Sequence, residues 1–463
     1  MQFRLFFCLC CLLPAIFVQS QEVKDEDAFF IRDIYDKALT QGQAYEWLDY
    51  LTQRIGGRLS GSPQAAAAVE YTRQVLDTMQ LDSVWLQPCM VPHWERGEPE
   101  VVRIVRSQMG TVALNALALG NSVGTGTQGL KAGVVEVNSL DEVDELGREG
   151  VEGKIVFYNR PMDPTQINTF NAYGSAVDQR AWGAARAARY GAVGVLVRSM
   201  TTRLDNVPHT GSLVYQDGIP PIPAVAISTM DAEKLSRLLD AEPVEVYMRT
   251  TCKMLKEELS YNVVGEIRGS EYPEEIILVG GHLDSWDVGS GAHDDGAGCV
   301  HAMDVLQILR RLDYTPKRSI RCVLFMNEEN GLRGARAYQE ISNQKGEYHM
   351  AAIESDRGGF TPRGFTADGD ETVFNEKFKR VLQWLPLLEP YGLNFEVGGS
   401  GADISGLKSQ QGLLFGFKPD SQRYFDYHHT PIDAKDVVNK RELELGVAAI
   451  TSLVYLLDKY GVD

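Results

Sequence analysis

Residues 276–298 read IILVGGHLDSWDVGSGAHDDGAG, an apolar run followed at once by glycine, histidine and aspartate residues. Similar short, mainly apolar runs occur at residues 321–325, 350–353 and 412–416, and stretches of helical periodicity separate them. Apolar runs without alternation predict strands that are buried on both faces, and intervening helices are typical of a parallel sheet. We therefore predict an α/β fold whose mixed, mostly parallel central sheet is sandwiched by helices.

Side chains that can bind metal follow the ends of these predicted strands. Ligands of such sheets bind beyond the carboxyl ends of the strands. Histidine and carboxylate ligands without a thiolate suit zinc, and two cations about 3.5–4 Å apart need a bridging carboxylate. The pattern predicts a two-metal site built from two histidines, one bridge and two terminal carboxylates. The candidates, in chain order, are His282, Asp284, Asp294, Asp295, Glu328, Glu329, Glu354, Asp356, His428 and His429.

Length and composition narrow the possible functions. A chain of 463 residues is too long for one ordinary domain, so it predicts two domains or one large domain with an insertion. The 45 basic and 63 acidic residues give a net charge of −18, which makes nucleic acid a poor partner. The sequence contains no HExxH or GxxxxGK[ST] motif, which excludes an HExxH-type zinc helix and a phosphate-binding loop.

The sequence pattern changes between about Gly120 and Arg249, where short strand-like and helical segments alternate and are bounded by glycines. This pattern predicts a self-contained α/β insert at residues 119–249. The main domain would then be discontinuous, formed by residues 21–118 and 250–463.

The first twenty residues have the charge and apolar run of a signal peptide, with small residues suited to cleavage before Gln21. We predict that residues 1–20 are removed and that the mature chain has no membrane span. The expected location is extracellular or periplasmic, or the lysosome or secretory pathway in a eukaryote.

Six motifs carry a resemblance to a known family. They are PHWERGE (92–98), GGHLDSWDVGSGAHDDGAG (280–298), NEENG (327–331), ESDRGGF (354–360), SGADI (400–404) and HHTPIDA (428–434). In these motifs the chain resembles the carboxypeptidase Q (plasma glutamate carboxypeptidase) family of co-catalytic dizinc exopeptidases. The resemblance runs from about residue 30 to the C-terminus and implies a zinc aminopeptidase/carboxypeptidase-like main domain. It also implies that the insert is a protease-associated-like domain and that the protein forms a homodimer.

The same resemblance implies a ligand set for two zinc ions per chain. His282 and Asp356 would bind the first zinc ion, and Glu329 and His429 would bind the second. Asp294 would bridge the two ions.

Around those ligands the resemblance implies further roles. Glu328 would be the general base that takes a proton from the metal-bridging water. Asp284 would hydrogen-bond the other ring nitrogen of His282 and so fix its tautomer. A cis peptide is expected between Asp294 and Asp295.

Three other histidines are interpreted from their positions. His428 occupies a site where related enzymes often have a tyrosine that stabilises the tetrahedral oxyanion, and both this role and simple packing stay open. His293 is interpreted as a surface residue. His301 falls on a predicted helix and is interpreted as helix surface or core.

Four residues are candidates for substrate contacts. Arg357 is interpreted either as a surface salt-bridge partner or as a guanidinium that faces the free carboxylate of a substrate. Ser400, Gly401 and Asp403 match a family loop beside the substrate pocket.

The function that we predict is a secreted zinc exopeptidase that hydrolyses short peptides, chiefly dipeptides, with carboxypeptidase or dipeptidase action favoured. An aminopeptidase of the same fold is the alternative. A catalytically inactive, receptor-like binding module is disfavoured because all five ligands and the base are present. A one-zinc glutaminyl cyclase of this fold is disfavoured by the insert and the bridging carboxylate.

Overall fold

The computed structural model describes the backbone of residues 13–463 and the side chains from Asp25 onward. Residues 1–12 of the predicted signal peptide therefore lie outside the described residues, and for residues 13–20 only the backbone is described. Within this range, none of the helices combines the length and apolar character needed to cross a membrane.

Helices and strands alternate along most of the chain. The helices are α1 (Leu13–Gln41), α2 (Ala44–Tyr50), α3 (Pro63–Asp77), α4 (Leu140–Val151), α5 (Thr169–Gly174), α6 (Val177–Arg189), α7 (Thr229–Ala241), α8 (Ala297–Arg311), α9 (Arg333–Lys345), α10 (Phe374–Val381), α11 (Leu385–Leu388), α12 (Tyr424–Tyr427) and α13 (Lys440–Tyr460). The strands are β1 (Ser83–Val91), β2 (Trp94–Glu95), β3 (Val101–Arg106), β4 (Val112–Leu114), β5 (Ala116–Ala118), β6 (Leu130–Val137), β7 (Ile155–Tyr158), β8 (Gly194–Arg198), β9 (Ala224–Ile227), β10 (Glu245–Arg249), β11 (Lys253–Met254), β12 (Glu258–Ile267), β13 (Tyr272–His282), β14 (Arg318–Phe325), β15 (Tyr348–Glu354), β16 (Pro362–Gly369), β17 (Asn394–Val397) and β18 (Leu413–Pro419).

The first sheet has eight strands in the order β1-β12-β14-β13-β15-β18-β16-β17. Its centre is parallel, because β13 pairs in parallel with β14 and β15, and β15 pairs in parallel with β18. Antiparallel pairs join β1, β12 and β14 on one side and β16 and β18 on the other. The predicted mixed, mostly parallel α/β sheet is confirmed, and all four apolar runs that predicted it lie in its central strands.

Helices cover both faces of this sheet, as the unbroken apolar runs predicted. Ile277 and Val279 of β13 belong to a buried cluster that includes Val300 of α8 and residues of α1, α2 and α13. Leu278, between them, packs on the opposite face with Tyr338 of α9. Since successive side chains of a strand point to opposite faces, a strand buried on both faces must be apolar throughout.

A second eight-stranded sheet lies between Val101 and Arg249, in the order β4-β3-β10-β6-β7-β8-β9-β5. Helices α4 and α6 pack on one face of its parallel strands, and α7 packs on the other. Strands β3, β4 and β5 precede residue 119, so this sheet includes residues upstream of the predicted insert. Phe360, in the loop after β15, and Tyr424 and Phe425 of α12 join the core of this second unit. The second unit is therefore seated on the loops at the carboxyl ends of the first sheet.

A buried aspartate on α8 gives the fold an expected pH dependence. Asp304 accepts hydrogen bonds from the amides of Gln43 and Ala44 at 2.9 and 3.0 Å, at the start of α2. Burial outweighs these two amides and raises the pKa of Asp304 from 3.8 to about 7. The folded state therefore holds this proton more tightly than the unfolded state does, and the stabilisation is lost as pH rises from about 4 through about 7.

We expect Asp304→Asn to remove this dependence, because the asparagine oxygen keeps both hydrogen bonds and does not ionise. Above pH 7 the variant should melt about 2 °C or more above the wild type, and the two should converge only at about pH 4. Thermal unfolding across this pH range measures the effect. A constant difference between the two proteins at every pH would contradict the assignment.

Candidate metal centre

The candidate ligands lie at the carboxyl ends of neighbouring parallel strands, because the strand order β14-β13-β15-β18 brings those ends together. His282 is the last residue of β13, and Glu329 and Asp356 follow β14 and β15. Asp294 lies in the loop after β13, and His429 follows α12, which comes after β18. All five residues of the predicted ligand set therefore converge at one edge of the sheet.

The carboxylate of Asp294 lies between the two histidines. Its Oδ1 is 3.3 Å from His282 Nε2, and its Oδ2 is 3.2 Å from His429 Nε2. His282 Nε2 is also 3.3 Å from Asp356 Oδ1, and His429 Nε2 is 3.1 Å from Glu329 Oε2. The five side chains thus form two groups, each with one imidazole and one terminal carboxylate, that share Asp294. The resemblance also implied a cis peptide between Asp294 and Asp295, and the structure has one there.

Several carboxylate oxygens of this cluster are buried without hydrogen-bond donors, as expected of atoms that bind a metal ion. Asp294 Oδ2, Glu329 Oε1 and Asp356 Oδ1 are buried and have no hydrogen-bond partner within the described residues. The potential ligand atoms of His282, Asp294 and Glu329 all lie within 4.8 Å of one another. Buried carboxylate oxygens without donors are costly, and a divalent cation between them and the imidazoles would satisfy them. The residues therefore fit a metal centre.

Asp295 lies beside these ligands but already has donors. Its Oδ2 accepts a hydrogen bond from the amide of His282 at 3.0 Å, and its Oδ1 accepts one from the amide of Gly298 at 3.0 Å. Asp295 therefore anchors the loop that carries Asp294 rather than facing the cluster with a free oxygen.

Close opposite charges set the protonation of the cluster. Burial raises the pKa of Asp294, but the adjacent His282 and His429 outweigh it and hold the pKa well below 3.8. Burial lowers the pKa of His429, but Glu329 and Asp294 raise it to about 9. Burial and the charge of Asp294 raise the pKa of Glu329 to about 7. The carboxylates of the cluster thus concentrate negative charge beside the two imidazoles, as a cation site requires.

The orientation of His282 differs from the prediction. Its Nδ1 lies 3.0 Å from the main-chain carbonyl oxygen of Asp284, whereas the Asp284 carboxylate is 3.8 Å away. That carboxylate instead accepts hydrogen bonds from the amides of Asn327, Glu328 and Glu329, at 2.7, 3.0 and 3.3 Å. Asp284 therefore fixes His282 through its backbone and holds the loop after β14 through its side chain.

Glu328 is half-buried and lines the same cavity as the cluster. Burial, and then the negative charges of Asp356, Glu329 and Asp284, raise its pKa well above 4.5, although His282 opposes them. A carboxylate of raised pKa is better able to take up a proton than an ordinary one, as a general base requires. The hydrogen bond from its main-chain amide to Asp284 fixes the loop in which Glu328 precedes the candidate ligand Glu329.

The cavity in front of the cluster has a volume of about 430 Å³. Its lining includes Asp294, Glu328, Glu329, Asp356, His428 and His429 from the first unit, and Asn121, Phe170, Tyr173, Arg180, Ser212, Leu213 and Val214 from the second. A cavity of this size suits a small ligand. Side chains of the second unit therefore form one wall of the site.

The second unit also holds the tandem histidines by their backbone and rings. His209 Nδ1 lies 2.8 Å from the carbonyl oxygen of His428, and His429 Nδ1 lies 3.3 Å from the carbonyl oxygen of Thr210. The amide of Thr210 donates to the carbonyl of His429 at 3.0 Å. The sequence analysis did not identify His209, because only the packed structure brings this residue to the site.

His428 lies against His429, with ring centroids 3.5 Å apart. Its Nε2 is 3.8 Å from Asp294 Oδ2, and its buried Nδ1 has no partner within the described residues. Burial and the neighbouring charge of His429 hold the pKa of His428 well below 6.5. It is therefore a neutral imidazole at the cavity wall.

The loop of Ser400, Gly401 and Asp403 contacts Glu354 rather than the cavity. The amide of Ile404 donates to Glu354 Oε2 at 3.0 Å, and a Cβ at Gly401 would lie 2.2 Å from the Glu354 carboxyl carbon. Burial and the charge of Glu354 raise the pKa of Asp403 well above 3.8, and burial and Asp356 raise that of Glu354 to about 8. Burial and neighbouring negative charge thus disfavour ionisation of both carboxyls.

Arg357 does not form the predicted surface salt bridge within the described residues. Its Nη2 donates to the carbonyl oxygen of Gly399 at 3.0 Å, and its guanidinium lies 5.3 Å from the centre of the Phe170 ring. It packs against the second unit beside the cavity.

The interpretation of His293 as a surface residue was wrong. The residue is fully buried, its ring stacks on Phe360 at 4.0 Å, and its Nδ1 accepts a hydrogen bond from the amide of Gly359 at 3.1 Å. His301 is core, with its Nδ1 2.9 Å from the Ser355 hydroxyl.

Comparison with known proteins agrees with this site. Residues 262–453 match peptidase family M28, and this segment contains all of the candidate ligands. Carboxypeptidase Q of Bos taurus is 35% identical over 449 residues, which cover 94% of this chain and 91% of the relative.

Two solved structures are similar over nearly the whole chain. A peptidase M28 precursor from Shewanella amazonensis SB2B is 32% identical, with a TM-score of 0.89, and covers 95% of this chain and 99% of its own. A zinc aminopeptidase from Bacillus subtilis has a TM-score of 0.62 at 20% identity over 89% of this chain and 94% of its own, a likeness of fold. The chain therefore belongs to the carboxypeptidase Q family within peptidase family M28, and it is a metallo-exopeptidase.

Proposed function

We propose that the protein hydrolyses short peptides, chiefly dipeptides, with two zinc ions per chain. His282 and Asp356 would hold one ion, Glu329 and His429 would hold the other, and Asp294 would bridge them. The observation that carries this proposal is the Asp294 carboxylate, whose two oxygens face two different imidazoles. A carboxylate in that position is what a pair of cations about 3.5–4 Å apart requires.

Bound in this cluster, the two zinc ions would lower the pKa of a water molecule and polarise the scissile carbonyl. Glu328 accepts a proton from the attacking water and returns it to the leaving amine. The backbone of Asp284 holds His282, while its carboxylate holds the loop of Glu328. His428 is a neutral imidazole at the cavity wall and would donate a hydrogen bond to the developing oxyanion.

The second unit supports an exopeptidase mode of action. Its residues form one wall of a cavity of about 430 Å³, which suits a substrate of a few residues. We propose that this unit is the protease-associated-like insert, that the enzyme is exported after loss of residues 1–20, and that it forms a homodimer. Carboxypeptidase or dipeptidase action is favoured, with aminopeptidase action as the alternative.

The test is an assay of the purified mature protein on free, N-blocked and C-amidated dipeptides, with and without a chelator. We expect hydrolysis of the free dipeptide, loss of activity with chelator, and recovery with zinc at two ions per chain. Cleavage of the N-blocked dipeptide would assign carboxypeptidase action, and cleavage of only the C-amidated and free forms would assign aminopeptidase action. Zinc content near zero together with no hydrolysis would overturn the proposal in favour of a binding module.

A further inference from the structure

Arg180, on α6 of the second unit, lies in the cavity wall, and most of its guanidinium nitrogens lack hydrogen-bond partners within the described residues. The residue is only 6% exposed and lines the cavity together with Glu328 and the candidate ligands. Its Nη2 donates to the hydroxyl of Tyr173 at 2.7 Å, but Nε and Nη1 have no hydrogen-bond partner within the described residues. A guanidinium that is buried beside a neutral tyrosine is costly unless an anion joins it.

The position of this guanidinium is fixed by the backbone around it. Its Cζ lies only 2.5 Å from where a Cβ on Gly211 would be, and Gly211 has a φ of +130°, which favours glycine. The amide of Val214 in the same loop donates to the carbonyl of Ala181, next to Arg180, at 2.9 Å. The side chain is therefore held in place by a close approach of the loop that only glycine permits.

The same loop reaches the metal centre at its other end. Thr210, next to Gly211, exchanges hydrogen bonds with His429 through its amide and carbonyl groups. One short segment thus sets the separation between a proposed metal ligand and the buried guanidinium. A substrate group bound by Arg180 would be placed at a constant distance from the peptide bond that is cleaved.

A carboxylate is the ligand that this pair of side chains suits best. Arginine binds carboxylates through charge-assisted hydrogen bonds. The Tyr173 hydroxyl accepts its hydrogen bond from Arg180, so its own proton is available for a second donation into the cavity. Arg357, the sequence-based candidate for this role, is instead bonded to the Gly399 carbonyl.

We propose that Arg180, assisted by Tyr173, binds a carboxylate of the peptide substrate and makes the enzyme selective for peptides that carry one. This inference rests on the proposed function and specifies its substrate class. The carboxylate can be the free C-terminus or an acidic side chain, and the two sources are separated by the substrates below.

The experiment compares kcat/KM for three substrates: alanyl-alanine, its C-terminal amide, and alanyl-glutamate amide. They are assayed with the zinc-loaded wild type, Arg180→Met, Arg180→Lys and a control, Arg336→Met. Arg336 is an exposed arginine that also lines the cavity. Zinc content and circular dichroism establish that each variant is folded and loaded.

For the wild type we expect a preference of about 30-fold or more for a substrate with a carboxylate over the neutral amide, expressed mainly in KM. Arg180→Met should lose this preference while it still cleaves the neutral amide, Arg180→Lys should retain part of it, and Arg336→Met should keep it. Preference for alanyl-alanine assigns the C-terminal carboxylate, and preference for alanyl-glutamate amide assigns an acidic side chain.

Several results would overturn the inference without any dependence on how Arg180→Met folds. A wild type whose kcat/KM for the neutral amide equals its kcat/KM for both carboxylate substrates would do so. An Arg180 variant with the wild-type preference, or loss of the preference in Arg336→Met alone, would also do so. Absence of hydrolysis of all three substrates by the zinc-loaded wild type is a different outcome, because it overturns the proposed function itself and this inference with it.

Discussion

The Glu328→Ala variant should lose about 10²–10⁴-fold in kcat while it keeps the zinc content of the wild type. Glu328 lies beside the cluster and lines the cavity, but its neighbour Glu329 is the residue that approaches His429, at 3.1 Å. Removal of the Glu328 carboxylate would take away the group that accepts and returns the proton and leave the ligands in place. Steady-state kinetics on a dipeptide and metal analysis of the same preparation measure the two effects.

Two further variants sharpen this result. Glu328→Gln keeps the shape of the side chain and its main-chain hydrogen bond to Asp284 but cannot accept a proton, so it should be as inactive as the alanine variant. Asp287→Asn is a suitable control, because Asp287 lies on the preceding loop and pairs with Arg96 at 2.7 Å. Equal loss of zinc and turnover in Glu328→Ala would make Glu328 a ligand and contradict its role as the base.

The central sheet could be predicted from the sequence because its signal is local. The run at residues 276–279 is apolar without alternation, and it lies in β13, buried on both faces. The convergence of the candidate ligands could also be predicted, since the carboxyl ends of adjacent parallel strands meet at one edge of the sheet. No comparable local signal marks β3 and β5, which are short strands that pair with the distant β10 and β9.

Details that depend on how loops pack could not be predicted in the same way. The ring of His282 hydrogen-bonds to the main-chain carbonyl of Asp284. Every residue carries a main-chain carbonyl, so the identity of residue 284 could not predict this contact. His293 is buried because Phe360 stacks on it, a contact between distant segments. Arg180 and Tyr173 reach the cavity only because the second unit is seated on the strand ends of the first. In the sequence Tyr173 and Arg180 lie on two ordinary short helices, α5 and α6, without a motif that marks a site.

Asp294→Asn should remove both zinc ions, whereas a change of either terminal carboxylate should remove one. The two oxygens of Asp294 face His282 and His429 at 3.3 and 3.2 Å, so each proposed metal site would lose a charged ligand at once. An amide oxygen is neutral and its nitrogen is no ligand, so the affinity for each ion should fall by more than about 100-fold. Asp356→Asn and Glu329→Gln should each affect one site.

The measurement is zinc per chain after dialysis against a buffer of fixed free zinc, together with calorimetric titration of the metal-free proteins. We expect two ions in the wild type, about one in each terminal variant, and close to none in Asp294→Asn. Asp420→Asn is a control, because Asp420 also follows a strand of the central sheet, β18, but pairs with Arg363 at 3.0 Å and is not among the residues that line the cavity. If Asp294→Asn lost a single ion, the carboxylate would belong to one site only. The shared geometry that supports a two-metal mechanism would then have to come from another residue.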